Sequence, residues 1–289
     1  LLLLTAAFMG MRAFGIGPVG SLMAKGVLAE RDRLLLATFE NRTADSTLGA
    51  TVTELLRTDL SQSRAVSVYD PAQLRGVLSR MGLPTNAHVT FDVAKDAGTR
   101  EGLKAVLAGD IASLGSGYAL TARLVAVKGG DVLWAGREAA PSPEALSAAV
   151  DRLSSSLRER IGESLRSIRS DPPLDQVTTT STEALRLFVQ ASRAQDNGRN
   201  ADAVPLLERA LAVDSNFAMA HRKLAVVLGN LGRDSTARDR HFRRAYALRD
   251  RLSVRERLLA EAAYHLNVSR DTTSAIAASA REPRPMAFS

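Results

Sequence analysis

Gly198 and Gly232 stand 34 residues apart, and so do Ala203 and Ala237; Ala210 and Ala245 are 35 apart, one residue more. A recurrence of this length, with glycine at the turn, is the period of stacked helix–turn–helix hairpins. In the first unit Leu187, Ala191 and Ala194 fall on helix A, and Ala203, Leu207 and Ala210 on helix B. In the second, Leu224, Ala225 and Leu228 fall on helix A, followed by Gly232 and Ala237. Small residues suit such positions because the paired helices must approach closely. A further helix over about Ser253–Asn267 is expected to act as the next helix A or as a cap, since hairpins of this kind bury their apolar faces on one another. The array is placed at residues 182–268. It departs from the usual pattern at Ser215, where a proline commonly closes the repeat, and at Leu187 and His221, which replace aromatics.

The chain upstream follows a different rhythm. Leu34–Phe39 and Ala65–Tyr69 read as strands, and the stripe Leu48, Val52, Leu55, Leu56 and Leu60 as a helix within Thr47–Ser61. Asp70 caps a helix that opens on Pro71 and runs to about Met81, where Gly82 ends it. A second helix over Thr90–Ala97 is capped by Thr90, with Gly98 and Gly102 marking its exit. Three strands follow, Lys104–Ser113, Tyr118–Val127 and Val132–Ala139, joined at Gly115-Ser-Gly117 and Lys128-Gly-Gly-Asp131. A helix then extends from about Pro143 to Ser167, and Asn41 to Ser46 read as a polar turn. The order βαβααβββα predicts a mixed-sheet α/β sandwich over residues 33–170, with a terminal meander. Pro172, Pro173 and Thr178–Thr180 mark a linker at 171–181, and residues 269–289 are expected to form a loose tail.

The absence of cysteine excludes disulfides, thiolate metal sites and a thiol nucleophile. Aromatic residues at 4% are too few for a single-stranded nucleic-acid platform. The net charge of +7 owes much to Arg233–Arg257, where nine arginines face four acids. That stretch reads as the solvated face of a helical hairpin, and no nucleic-acid recognition motif accompanies it. Asp70, Asp92, Asp96 and Asp110 sit where caps and turns explain them, and His88 stands alone in a polar loop. Ser113, Ser116 and Thr121 lack a histidine or acid at a suggestive spacing, and Trp134 reads as sheet packing. His221, His241 and His265 lie on three different helices, so metal binding would need them to converge with a further ligand. No catalytic, cofactor-binding or metal-binding residue is assigned. Gly15-Ile-Gly17-Pro-Val-Gly20 matches G-x-G-x-x-G, with Glu40 twenty residues on, and leaves open an NAD- or FAD-dependent enzyme. Against it stand Arg12 in the preceding stretch and Gly26 inside the helix that would carry the phosphate. The opening apolar run, LLLLTAAFMGM, is expected to be the end of a truncated transmembrane helix, with residues up to 32 forming a juxtamembrane linker.

The strand and turn LLLATFENRTADSTLGATVTELLRTDL carry the pattern F-x-N-x-[ST], and the hairpin VLAGDIASLGSGYALTARLVAVKGGDVLWAGRE and a long helix follow. This region resembles the TolB amino-terminal-type domain. With the 34-residue period behind it, the chain also resembles the region after the membrane helix in bacterial serine/threonine protein kinases of the eukaryotic-like type, where tetratricopeptide repeats come next. The resemblance implies a non-catalytic, extracytoplasmic sensing and protein-interaction region anchored in the inner membrane on the periplasmic side. The kinase domain would lie upstream; no Gly-rich loop with a catalytic lysine, no HRD and no DFG occurs here. The alternative is a membrane-linked transcription regulator or envelope assembly factor with the same domains. Either way a protein or peptide is the expected partner, in the concave face of the A helices. Arg193, Asn197, Arg222, Lys223 and Asn230 are the candidate contacts, being long and polar on those helices.

Overall fold

The structure is a computed structural model that describes residues 20–232 and 234–280. Six strands form one sheet: β1 (Asp32–Leu36), β2 (Glu40–Arg42), β3 (Val66–Val68), β4 (Ala105–Leu114), β5 (Gly117–Ala126) and β6 (Val132–Ala140). The order is β3-β1-β4-β5-β6, with β2 also on β4. β1 pairs in parallel with β3 and β4, while β4, β5 and β6 form an antiparallel meander. The mixed α/β architecture is therefore as the sequence predicts.

Helices α1 (Leu48–Leu60), α2 (Pro71–Arg80) and α3 (Phe91–Arg100) connect the first strands. Asp70 caps α2 by accepting from the Ala72 amide at 2.6 Å, and Thr90 caps α3 through the Val93 amide. Gly82, with φ of 73°, ends the α2 turn. Gly98 does not end α3 but lies inside it; a β-carbon there would come within 3.1 Å of Val127. The close packing of α3 on the sheet, rather than a chain break, is what needs this glycine.

The expected polar turn at Asn41 is in part the short strand β2. Leu36 pairs with Leu107 and Glu40 with Asp110, so four steps along this strand match three on β4. The extra residue is a bulge. It turns Phe39 into the core, against Gly109, where a β-carbon would lie 2.5 Å from the ring. The Asn41 side chain then ties the turn, accepting from the Thr43 amide at 3.1 Å and donating to the Asp45 carbonyl at 2.6 Å.

After β6 the single helix expected to Ser167 is broken. A 3-10 turn at Pro143–Ala145 leads into α4 (Leu146–Ile161), and α5 (Leu165–Ser170) follows. The cause is Gly162, at φ 129°, which folds Glu163 back onto Arg158. The 171–181 segment holds a helical turn, α6 (Leu174–Val177), whose Leu174 and Val177 are buried. It therefore packs rather than hangs free, because its two apolar side chains find the core.

The carboxy-terminal third is helical: α7 (Thr182–Asp196), α8 (Asn200–Val213), α9 (Ala218–Asn230), α10 (Ser235–Ala247) and α11 (Val254–Tyr264). Gly198 and Gly232 take positive φ at the α7–α8 and α9–α10 turns. Ala191, Ala203, Ala210, Ala225 and Ala245 are buried between helices. A π-type turn at His265–Ser269 leads to α12 (Thr272–Ala280), so part of the expected loose tail is a helix with Ala275 and Ala278 buried.

One face of the sheet, with Leu34, Leu36, Leu107, Ile111, Leu120 and Leu124, packs under α1 and α4. That core continues without a break through Leu174, Leu185, Phe188, Phe217 and Leu224 into the helical hairpins. The opposite face, with Leu35, Val106 and Ala108, is covered by α2 and α3 through Val77, Ala94 and Ala97.

At the amino-terminal side Leu22 and Met23 donate to the carbonyls of Arg160 and Ile161 at the end of α4, each at 3.0 Å. Residues 21–28 form turns, not the helix that a dinucleotide site after Gly20 would require. Gly15 and Gly17, like the apolar run 1–11, lie outside the described residues. Among the described residues no helix is long and apolar enough to cross a membrane.

Candidate functional site

The chain leaves β1 through α1 on one face to reach β3, then returns through α2 and α3 on the other face to reach β4. The helices therefore diverge at the carboxyl end of β1, and in open α/β sheets that divergence leaves a crevice suited to ligands. Here a cleft of about 390 Å³ opens at that point, a size within the usual range for ligand pockets. Thr38 and Tyr69 line its strand end, Glu54 and Arg57 come from α1, Arg75 from α2, and Asn86 and His88 from the loop before α3. The fourth wall is α7, which contributes Ser192, Arg193, Asp196 and Asn197.

Most charges in the cleft already have partners. Arg57 pairs with Glu54 one turn away, and Arg75 reaches across to Asp196 at 3.2 Å. Tyr69 donates to Glu101 at 2.7 Å; burial and that carboxylate push its phenol up to about 12, so it stays protonated at any working pH. The Arg193 guanidinium has no hydrogen bond or ion pair among the described residues. The cleft thus presents one unmatched cation among neutral donors and acceptors, an environment that favours a carboxylate.

Of the five contacts expected from sequence, Arg193 and Asn197 come together in this cleft. The other three lie elsewhere. Arg222 on α9 makes two bonds to Glu256 on α11, at 3.0 and 2.6 Å. Lys223 lies over the Phe188 ring at 5.3 Å and donates to Gln195 at 3.2 Å. Asn230, exposed at the end of α9, reaches Asn200 at 3.4 Å. Arg222 and Lys223 therefore tie neighbouring helices instead of facing an open groove. Arg57, Arg75 and His88 were not singled out as contacts from sequence; the signal for them was the βαβ order, which places helix starts and loops at the strand ends.

The three histidines do not converge. His221 and His241 approach at 2.9 Å between their Nδ1 atoms, whereas His265 packs edge-on to Tyr246 and Tyr264. Among the described residues no group of three potential metal ligands occurs.

No protein-family model and no curated protein matches the chain. Among solved structures it is similar to the C-terminal domain of LpoB from Salmonella enterica, at 24% identity over 41% of this chain and 91% of that one, with a TM-score of 0.35. It is also similar to the lipoprotein GNA1162 from Neisseria meningitidis, at 19% identity over 37% of this chain and 78% of that one, TM-score 0.32. A third is TolB from Acinetobacter baumannii, at 15% identity over 46% of this chain and 29% of that one, TM-score 0.33. Likeness at this level assigns no family.

Proposed function

We propose that the chain is a non-catalytic protein-interaction module of the bacterial envelope, acting on the extracytoplasmic side as an assembly factor. In this reading the helical hairpins are tetratricopeptide-type units that serve mainly to wall the cleft, and the occupant is an acidic segment of a partner protein. One observation carries it: a polar cleft at the strand ends, closed by a helix of the second unit, that leaves Arg193 unmatched. The alternative of a sensing region attached to a serine/threonine kinase rests on the sequence resemblance alone, and nothing in the cleft favours it.

The test is fluorescence anisotropy with labelled peptides of acidic, neutral and basic composition. Acidic peptides are expected to bind, more weakly as salt rises, and Arg193→Glu should weaken them about ten-fold or more, as for a charge-assisted hydrogen bond worth roughly 1.5–3 kcal/mol. Binding that is indifferent to peptide charge, or unchanged in Arg193→Glu, would remove the assignment.

A further inference from the structure

The sheet has a bare half. α2 and α3 cover one face only over β1, β3 and the first turns of β4, ending at Phe91. Beyond that border the same face of β2, β4, β5 and β6 is open, with a hollow of about 500 Å³. Pairing register lines up one residue from each strand across it: Glu40 opposite Asp110, Asp110 opposite Thr121, and Thr121 opposite Arg137. The adjoining row is Arg42, Ala112, Ala119 and Ala139. On the other side lie Ala108, Arg123 and Ala135.

The charges in this face are polarised. Glu40 and Asp110 occupy one end; Arg42 is paired with Glu40 at 3.1 Å, which leaves one net negative charge there. Arg123 and Arg137 occupy the other end. Arg123 lies over the Phe91 ring at 4.9 Å, and Arg137 has no hydrogen bond or ion pair among the described residues. With strands spaced at about 4.8 Å, three gaps separate Glu40 from Arg137 by roughly 14 Å. A partner of one charge sign would be attracted at one end of this row and repelled at the other. A row with opposite ends complements itself when turned through two-fold symmetry.

We propose that the bare half of the sheet is an isologous interface, and that its occupant is a second copy of this chain. The two-fold axis lies between the facing sheets and runs along the strands, passing between Asp110 and Thr121, so the acidic end of each copy, with Glu40 and Asp110, lies over the basic end of the other, with Arg137 and Arg123. The alanine floor lets two sheets approach to the usual separation of about 10 Å.

Sedimentation velocity on the full chain tests this. A dimer is expected at low salt, dissociating as salt rises, a measurement that needs no variant. Glu40→Arg and Arg137→Glu should each weaken dimerisation at least ten-fold, both sites being exposed and their variants checked for fold by circular dichroism. Mixing the two variants should restore a dimer, because Arg at 40 then faces Glu at 137 while Arg137 still faces Glu40. A chain that stays monomeric at low salt up to high micromolar concentration overturns the proposal. So does a dimer indifferent to either substitution, or a mixture that fails to recover.

Discussion

Among the described residues Arg158 is the most buried arginine, at 1% exposure, and its guanidinium is met by Glu163 at 2.9 and 3.0 Å, by Asp171, and by Asp59 at 3.8 Å. Burial works against the charge on Glu163, but Arg158, the Ser63 hydroxyl at 2.6 Å and the Arg64 amide overcome it and hold the carboxyl down to about 2. The neighbouring Asp151 has the opposite fate. Burial and the nearby Asp59 push it up to about 7, although it accepts from the Leu174 amide. The folded state thus favours the protonated acid. Its contribution to stability is full below the unfolded value near 4 and is lost as pH rises through about 7. Asp151→Asn should therefore gain about 1–2 kcal/mol over wild type at pH 8 relative to pH 4, less than the shift alone implies because the carboxyl is partly exposed. Urea melts of both proteins at the two pH values check this; parallel changes would remove the role given to Asp151. The cap at Asp70 was legible in sequence because Pro71 stands beside it. The Arg158 cluster was not, because its partners come from α1, the turn after α4 and the segment before α6, and only the fold brings them together.

At the scale of elements, α9 and α10 are joined by the His221–His241 contact. His221 Nε2 lies 3.1 Å from the Ser215 carbonyl, so that nitrogen carries the proton and donates. Its Nδ1 then accepts from Nδ1–H of His241. A second proton on His221 would set two N–H groups face to face. Burial first, then the neighbouring imidazole and Arg240, lower His241 to about 4, and burial lowers His221 as well. The hairpin is consequently most stable above the unfolded histidine value near 6.5 and loses stability as pH falls toward 4. His241→Gln should flatten that slope by about 1–2 kcal/mol, a figure reduced for the ring's partial exposure. Thermal melts between pH 7 and pH 4.5 give the comparison, and an equal slope in the variant would refute it. The helices themselves were legible from apolar spacing and from glycines at their turns. The break at Gly162 was not, since the apolar stripe of α4 gives no sign that Glu163 must fold back to neutralise Arg158.

At the scale of the whole molecule, the sheet unit and the helical hairpins share one core, and ion pairs cross between them: Arg75 with Asp196, Arg186 with Asp45 at 3.2 Å, and Arg255 with Asp70 at 3.2 Å. Sequence divided the chain at a proline-bearing linker because composition changes there. It gave no view of the contact between the two parts, where Leu174 and Val177 of the linking segment are buried in the shared core. Two units with a continuous apolar interior are expected to unfold together. Trp134, the only tryptophan, lies in β6 and reports on the sheet unit, while far-ultraviolet ellipticity is dominated by the helices. The two signals should follow a single urea transition; separated midpoints would mean that the parts are independent and that the cleft between them is not held shut by the core.

The additional residue between Leu36 and Glu40 works like a shift in reading frame. Excising one residue there would swap inward and outward for everything on β2: Glu40 would be driven beneath the helices, and Asn41, which now ties the turn, would swing to the outside. The acidic pole of the exposed row exists only because the strand miscounts once.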